Sequence, residues 1–164
     1  MAVRHVDVQR FSVTSSKPFA DVVAALDAAI GRPDYPALSR QIYATKAYAE
    51  LEALIHGVVG PTDLMEFLRL DIGGVLAKAN GPAAPKSLRL IVGNPLIMKQ
   101  MAEHVADAGS YAPVTILVDE RADGVHLSYD TMVSFLLPYG NAKALQVARD
   151  LDTKVEAMLI TAAA

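Results

Sequence analysis

Four sets of residues have types and spacings that bear on chemistry. Along Val125–Asp130, His126, Ser128 and Asp130 alternate with Val125, Leu127 and Tyr129. A strand there puts the three polar residues on one face and the apolar ones on the other. Histidine, serine and aspartate are the types of a nucleophile relay. Alternate positions on one strand, however, hold their side chains parallel and apart, whereas relays draw their members from different elements. The set reads as a solvated polar face, and Tyr129 as a core residue whose hydroxyl needs a partner. The second set is Gly93-Asn94-Pro95. A strand that turns sharply into a helix presents the first N–H groups of that helix, an anion-binding arrangement. Asn94 suits the cap and Pro95 the first helical position. The motif lacks the glycine-rich length and the lysine of a phosphate loop, so it implies no nucleotide. It is a well-capped turn first and a binding loop second.

Asp71, at the end of an apolar stretch and just before Gly73-Gly74, is the carboxylate to watch. A charge in that position needs a partner or water, although an aspartate capping a turn meets the need as well. Met65, Met98, Met101, Met132 and Met158 fall on apolar stripes. They fill a core or line an adaptable apolar pocket. Metal and cofactor chemistry finds no support. The chain has no cysteine, and its histidines at 5, 56, 104 and 126 never stand in ligand spacing. No metal and no cofactor are expected.

The elements that must position these residues follow from periodicity. Residues 3–13 read as a strand, Val6 and Val8 on one face and Phe11 and Val13 in shifted phase, with a bulge near Gln9-Arg10. Phe19, Val22, Val23, Leu26 and Ile30 mark a helix capped at Ser15 or Ser16 and stopped by Gly31. A second helical pattern spans about 37–57. Residues 64–71 fit a strand, or a helix boxed by Asp63 and Glu66, and the strand is favoured. Residues 78–87 are loop-like. Strand 88–92 then leads into a helix reaching about Asp107. Residues 114–118 and 125–129 form a hairpin around Arg121–Gly124. A short helical piece covers 131–137, and a long helix starts near Asn141, with Leu145, Ala148, Leu151 (or Asp152), Val155, Met158 and Leu159 as its stripe.

At 164 residues the chain fits one domain, 1–164. Net charge is −3, with no basic cluster, so no nucleic acid is expected. Hydrophobic residues make up 52%, much of it alanine, and charges interrupt the apolar stretches, so no membrane span is expected. The N-terminus lacks a basic region leading into an apolar run, and the expected location is cytoplasmic.

Leu88-Arg-Leu-Ile-Val-Gly-Asn-Pro95, the Pro113-led strand Val114–Glu120, the Asp123-Gly124 turn and Leu127-Ser-Tyr129 with Asp130 resemble domain-of-unknown-function family 302. The likeness is best over about 64–135. It implies an α+β fold of the TATA-binding-protein-like class: strand, helix, four antiparallel strands and helix, with the helices on one face. An inserted helix near 37–57 is added here. It also implies a homodimer, and it implies no reaction. The family's Ile-Asp-His stretch corresponds to Leu70-Asp71-Ile72, which keeps the aspartate and lacks the histidine. The expectation is a homodimer binding a small apolar or anionic ligand through residues among Asp71, Gly93, Asn94, Pro95, Met98, His126, Ser128 and Tyr129. The alternatives are a hydrolase or isomerase using Asp71 with His126 or Tyr129, and a structural or interaction module.

Overall fold

The computed structural model describes residues 3–164. In chain order the elements are β1 (Arg10–Ser15), α1 (Phe19–Ala29), α2 (Tyr35–Ala44), α3 (Tyr48–His56), β2 (Met65–Asp71), α4 (Ile72–Asn80) and β3 (Ser87–Gly93). Then come α5 (Pro95–Ala102), α6 (Ala108–Tyr111), β4 (Val114–Arg121), β5 (Gly124–Asp130), α7 (Met132–Leu136) and α8 (Ala142–Ala163). The strands form one antiparallel sheet in the order β1-β5-β4-β3-β2. Together with the helices it makes the expected α+β fold.

Strand parity decides which face is covered. Leu90, Val92, Ile116, Val118, Leu127 and Tyr129 share one face and are buried, packed with α1, α5 and α8 into the main core. Arg89, Ile91, Thr115, Leu117, His126 and Ser128 occupy the other face by the same alternation. Among the described residues no helix layer matches α1 and α8 there, which is a common arrangement for an antiparallel sheet. A smaller cluster of Leu38, Ile55, Met65 and Leu96 joins α2 and α3 to the start of α5. Among the described residues no helix is long and apolar enough to cross a membrane.

Several boundaries depart from the periodic reading. Residues 3–9 do not join the sheet. Phe11 and Val13 do face the core from β1, while Val8 is exposed. The pattern over 37–57 is two helices, because Thr45 turns to extended backbone and its N–H and Oγ1 fold back onto carbonyls of α2. Residues 64–71 are a strand. The Gly73-Gly74 pair lies inside α4, which Asp71 caps. A Cβ on Gly73 would sit 2.6 Å from the Ser87 nitrogen, so glycine there lets α4 press against β3. Finally, α5 ends at Ala102, short of Asp107.

Candidate functional site

The Gly93-Asn94-Pro95 turn does what its residue types require. Asn94 is N-cap of α5 and its Oδ1 accepts the Leu96 N–H at 2.8 Å. The Met98 N–H reaches the Asn94 carbonyl at 3.0 Å, and Pro95 has no donor to offer. Of the first-turn amides, only that of Ile97 is without a partner among the described residues. The amide end of Asn94 is also committed: Nδ2 donates to the Asp63 carbonyl at 3.0 Å and to Asp63 Oδ1 at 3.2 Å. Asp63, in the left-handed region at φ 60°, takes Lys154 Nζ on its other oxygen at 2.9 Å. The turn is thus tied to α8 through a chain of hydrogen bonds that the sequence does not announce.

Beside the turn lies a cavity of about 310 Å³. Ile97, Met98 and Met101 of α5 form one side, Tyr35 and Ile42 of α2 another, and Phe67 of β2 a third. The Tyr35 and Phe67 rings meet at 4.9 Å between centroids, tilted by 59°, and brace the α2 wall. Gly93, Asn94 and Pro95 line the cavity, but their polar atoms are consumed as described. The space therefore takes apolar matter far better than charge.

The remaining candidates are not brought together. Asp71 Oδ1 accepts the Gly74 N–H at 2.7 Å as cap of α4. Its strand is separated from β5 by β3 and β4, three strand spacings or about 14 Å. His126 and Tyr129 lie on opposite faces of β5. His126 Nε2 contacts Asp123 Oδ1 at 2.7 Å, an exposed pair that draws the Asp123 carboxyl below its usual range. Asp130 is paired with Arg10. His126, Ser128 and Asp130 thus share no hydrogen bond, as expected of alternate positions on one strand.

Tyr129 has the partner that its burial demands, and the partner was not foreseen. Its hydroxyl donates to Asp152 Oδ1 at 2.5 Å, and the same carboxylate accepts the N–H groups of Met132 at 2.7 Å and Val133 at 3.0 Å. Asp152 therefore caps α7 from α8. Burial pushes its carboxyl up from the usual range, while the three donors oppose that shift. Burial, reinforced by the neighbouring carboxylate, pushes the Tyr129 hydroxyl up as well. The available signal was an aspartate sharing an inward position with Leu151 on the last helix.

With this geometry in place, comparison with known proteins locates the chain. The family model for the domain of unknown function DUF302 matches residues 40–162. The chain belongs to the DUF302 family. The match takes in β2 to β5, the Gly-Asn-Pro turn and all but the last residue of α8. A crystal structure of an uncharacterized conserved DUF302 protein from Bacillus stearothermophilus is similar, with a TM-score of 0.64. The superposition covers 93% of this chain and 97% of that one at 10% identity, so it shows the shared DUF302 fold. No curated protein matches.

Proposed function

We propose that this DUF302 chain is a cytoplasmic, single-domain homodimer that binds a small apolar molecule in the cavity beside Gly93-Asn94-Pro95. The observation that carries the reading is the cavity of about 310 Å³ walled by Ile42, Phe67, Ile97, Met98 and Met101. That is the small end of the range for ligand sites, ~300–1,000 Å³. Two methionines in the wall allow it to adapt. Because all of the turn's donors but the Ile97 N–H are satisfied internally, the apolar half of the expected ligand class is favoured at this site over the anionic half. Self-association is supported by exposed Leu68 and Leu70 on edge strand β2 and Val75 and Leu76 on α4, which follows it. A hydrolase or isomerase built on Asp71 with His126 or Tyr129 is disfavoured, since proton transfer needs hydrogen-bond reach.

Calorimetric titration with naphthalene and octan-1-ol tests the pocket. Saturable binding that disappears in Met98→Trp, where the indole occupies the cavity, is the expected result. Failure of both probes to bind the folded wild type, or equal binding to the variant, refutes it. Sedimentation equilibrium checks the dimer separately.

A further inference from the structure

The uncovered face of the sheet holds a second, larger cleft of about 780 Å³, again within the ligand range of ~300–1,000 Å³. Its floor is a row set by register: Arg89 lies opposite Leu117, and Leu117 opposite Ser128. Ile91 belongs to the next row. Tyr111 and Phe135 stack beside it, ring centroids 4.8 Å apart and planes 10° from parallel, and both line the cleft.

Two observations on that floor point to a ligand. The first is charge. Arg10 is neutralised by Asp130 through contacts of 2.6 and 2.8 Å, and Arg121 by Asp119 at 2.7 Å. Arg89 has no carboxylate partner among the described residues, and its one side-chain contact is a long 3.5 Å approach to Thr115 Oγ1. Two arginines against one aspartate leave the cleft with an excess positive charge. A guanidinium fork over an apolar floor suits a planar anion. The second is Ser128, 7% exposed and lining the cleft. Its hydroxyl has no protein hydrogen-bond partner among the described residues and opens onto the cleft, where a polar group of a ligand can meet it. Arg89 and Ser128 are two strands apart on one row, about 10 Å.

We propose that this face is a second binding site, for an amphipathic monoanion. Its carboxylate meets Arg89 and its flat apolar body lies on Ile91 and Leu117 against the Tyr111–Phe135 wall. A hydrogen-bonding group at its far end meets Ser128. This goes beyond the pocket reading, because it uses the opposite side of the sheet and a different ligand class.

The test is calorimetric titration of the full chain with 6-hydroxy-2-naphthoate, 2-naphthoate and 2-naphthamide. The hydroxy acid should bind tightest. The amide, which cannot offer a carboxylate, should bind about tenfold more weakly than 2-naphthoate. Arg89→Gln should bring 2-naphthoate to the amide's level and weaken the hydroxy acid by the same factor, and Ser128→Ala should erase the preference for the hydroxy acid. Met98→Trp should leave the preference of the acids over the amide unchanged, which separates this site from the pocket beside α5. Equal binding of acid and amide, an Arg89→Gln variant that binds the acids normally, or no saturable binding of any probe up to millimolar concentration overturns the proposal. A shift in sedimentation of Arg89→Gln without loss of acid binding also overturns it, and makes the face a self-association surface.

Discussion

Replacing Asp152 by alanine should be among the most damaging single changes in this protein. The carboxylate accepts three buried donors: the Tyr129 hydroxyl and the N–H groups of Met132 and Val133. Each donor orphaned by truncation costs roughly 1–3 kcal/mol, less whatever entering water restores. Three such donors, partly rehydrated, put the alanine variant at about 3–5 kcal/mol. For a chain of this size that lowers the melting temperature by roughly 10 °C. Asp152→Asn keeps one acceptor oxygen but turns an amide donor toward other donors, so about 1–3 kcal/mol is expected. Tyr129→Phe should cost about 1–2 kcal/mol, and the Tyr129–Asp152 cycle should show coupling of at least about 1 kcal/mol.

Urea denaturation measures all three variants, and titrating stability against pH adds a sign. With the carboxyl pushed up by burial, the folded protein holds the Asp152 proton more tightly than the unfolded chain. Stability contributed by this group is therefore present below the usual carboxylate pKa. It is lost as pH rises from there through the raised value, and Asp152→Asn flattens that slope. The raised Tyr129 hydroxyl makes the folded state keep its proton where the unfolded chain ionises, so stability falls again above about pH 10. Tyr129→Phe removes that loss. If Asp152→Ala costs less than about 1 kcal/mol, the donors have found other partners, and the view of Asp152 as the anchor of α7 is wrong.

Substitutions at two further positions test the capped turn and the β4–β5 hairpin. Asn94→Ala removes the cap on Leu96 and both bonds to Asp63, for about 2–3 kcal/mol; Asn94→Ser, which restores the cap alone, should recover about 1 kcal/mol in the same urea titration. Gly124→Ala places a Cβ 2.5 Å from the Ser15 carbonyl at φ 136°, so a loss of at least about 2 kcal/mol is expected by thermal unfolding.

Much of the architecture was legible because strands and helices encode burial differently. Alternation in 125–130 assigns the two faces of β5 without ambiguity, and the apolar run 88–92 ending in Gly-Asn-Pro marks both the end of β3 and the cap of α5. Where the reading slipped, a tertiary contact overrode the local pattern. Gly73 and Gly74 look like a break, yet the missing side chain of Gly73 lets α4 pack against β3 and that of Gly74 leaves room for the Asp71 cap. The helical pattern resumes beyond Thr45, but extended backbone at Thr45, with its hydroxyl and N–H returned to carbonyls of α2, divides it. Val6 and Val8 alternate as a strand would, but no neighbouring strand of the described chain receives them.

The sites were legible in proportion to how local their chemistry is. Asn94 as a cap needs only its own turn, and the spacing of Asn94 and Pro95 is sufficient to predict it. Lys154 and Asp63, which tie the same turn to α8, lie 91 residues apart, and no pattern links them. The same distinction separates the two ligand classes that the sequence left together. A cap that takes the Leu96 and Met98 N–H groups leaves an anion only the single Ile97 N–H, so the turn is mainly a wall for apolar matter. An anion then needs a cation without a carboxylate partner. Arg89 meets that condition on the opposite face of β3, opposite Leu117 and in the row that runs on through Ser128 to Ser12. Ser128 was noticed because it alternates with a histidine and an aspartate; what distinguishes it in the fold is that both of them have partners and its own hydroxyl does not.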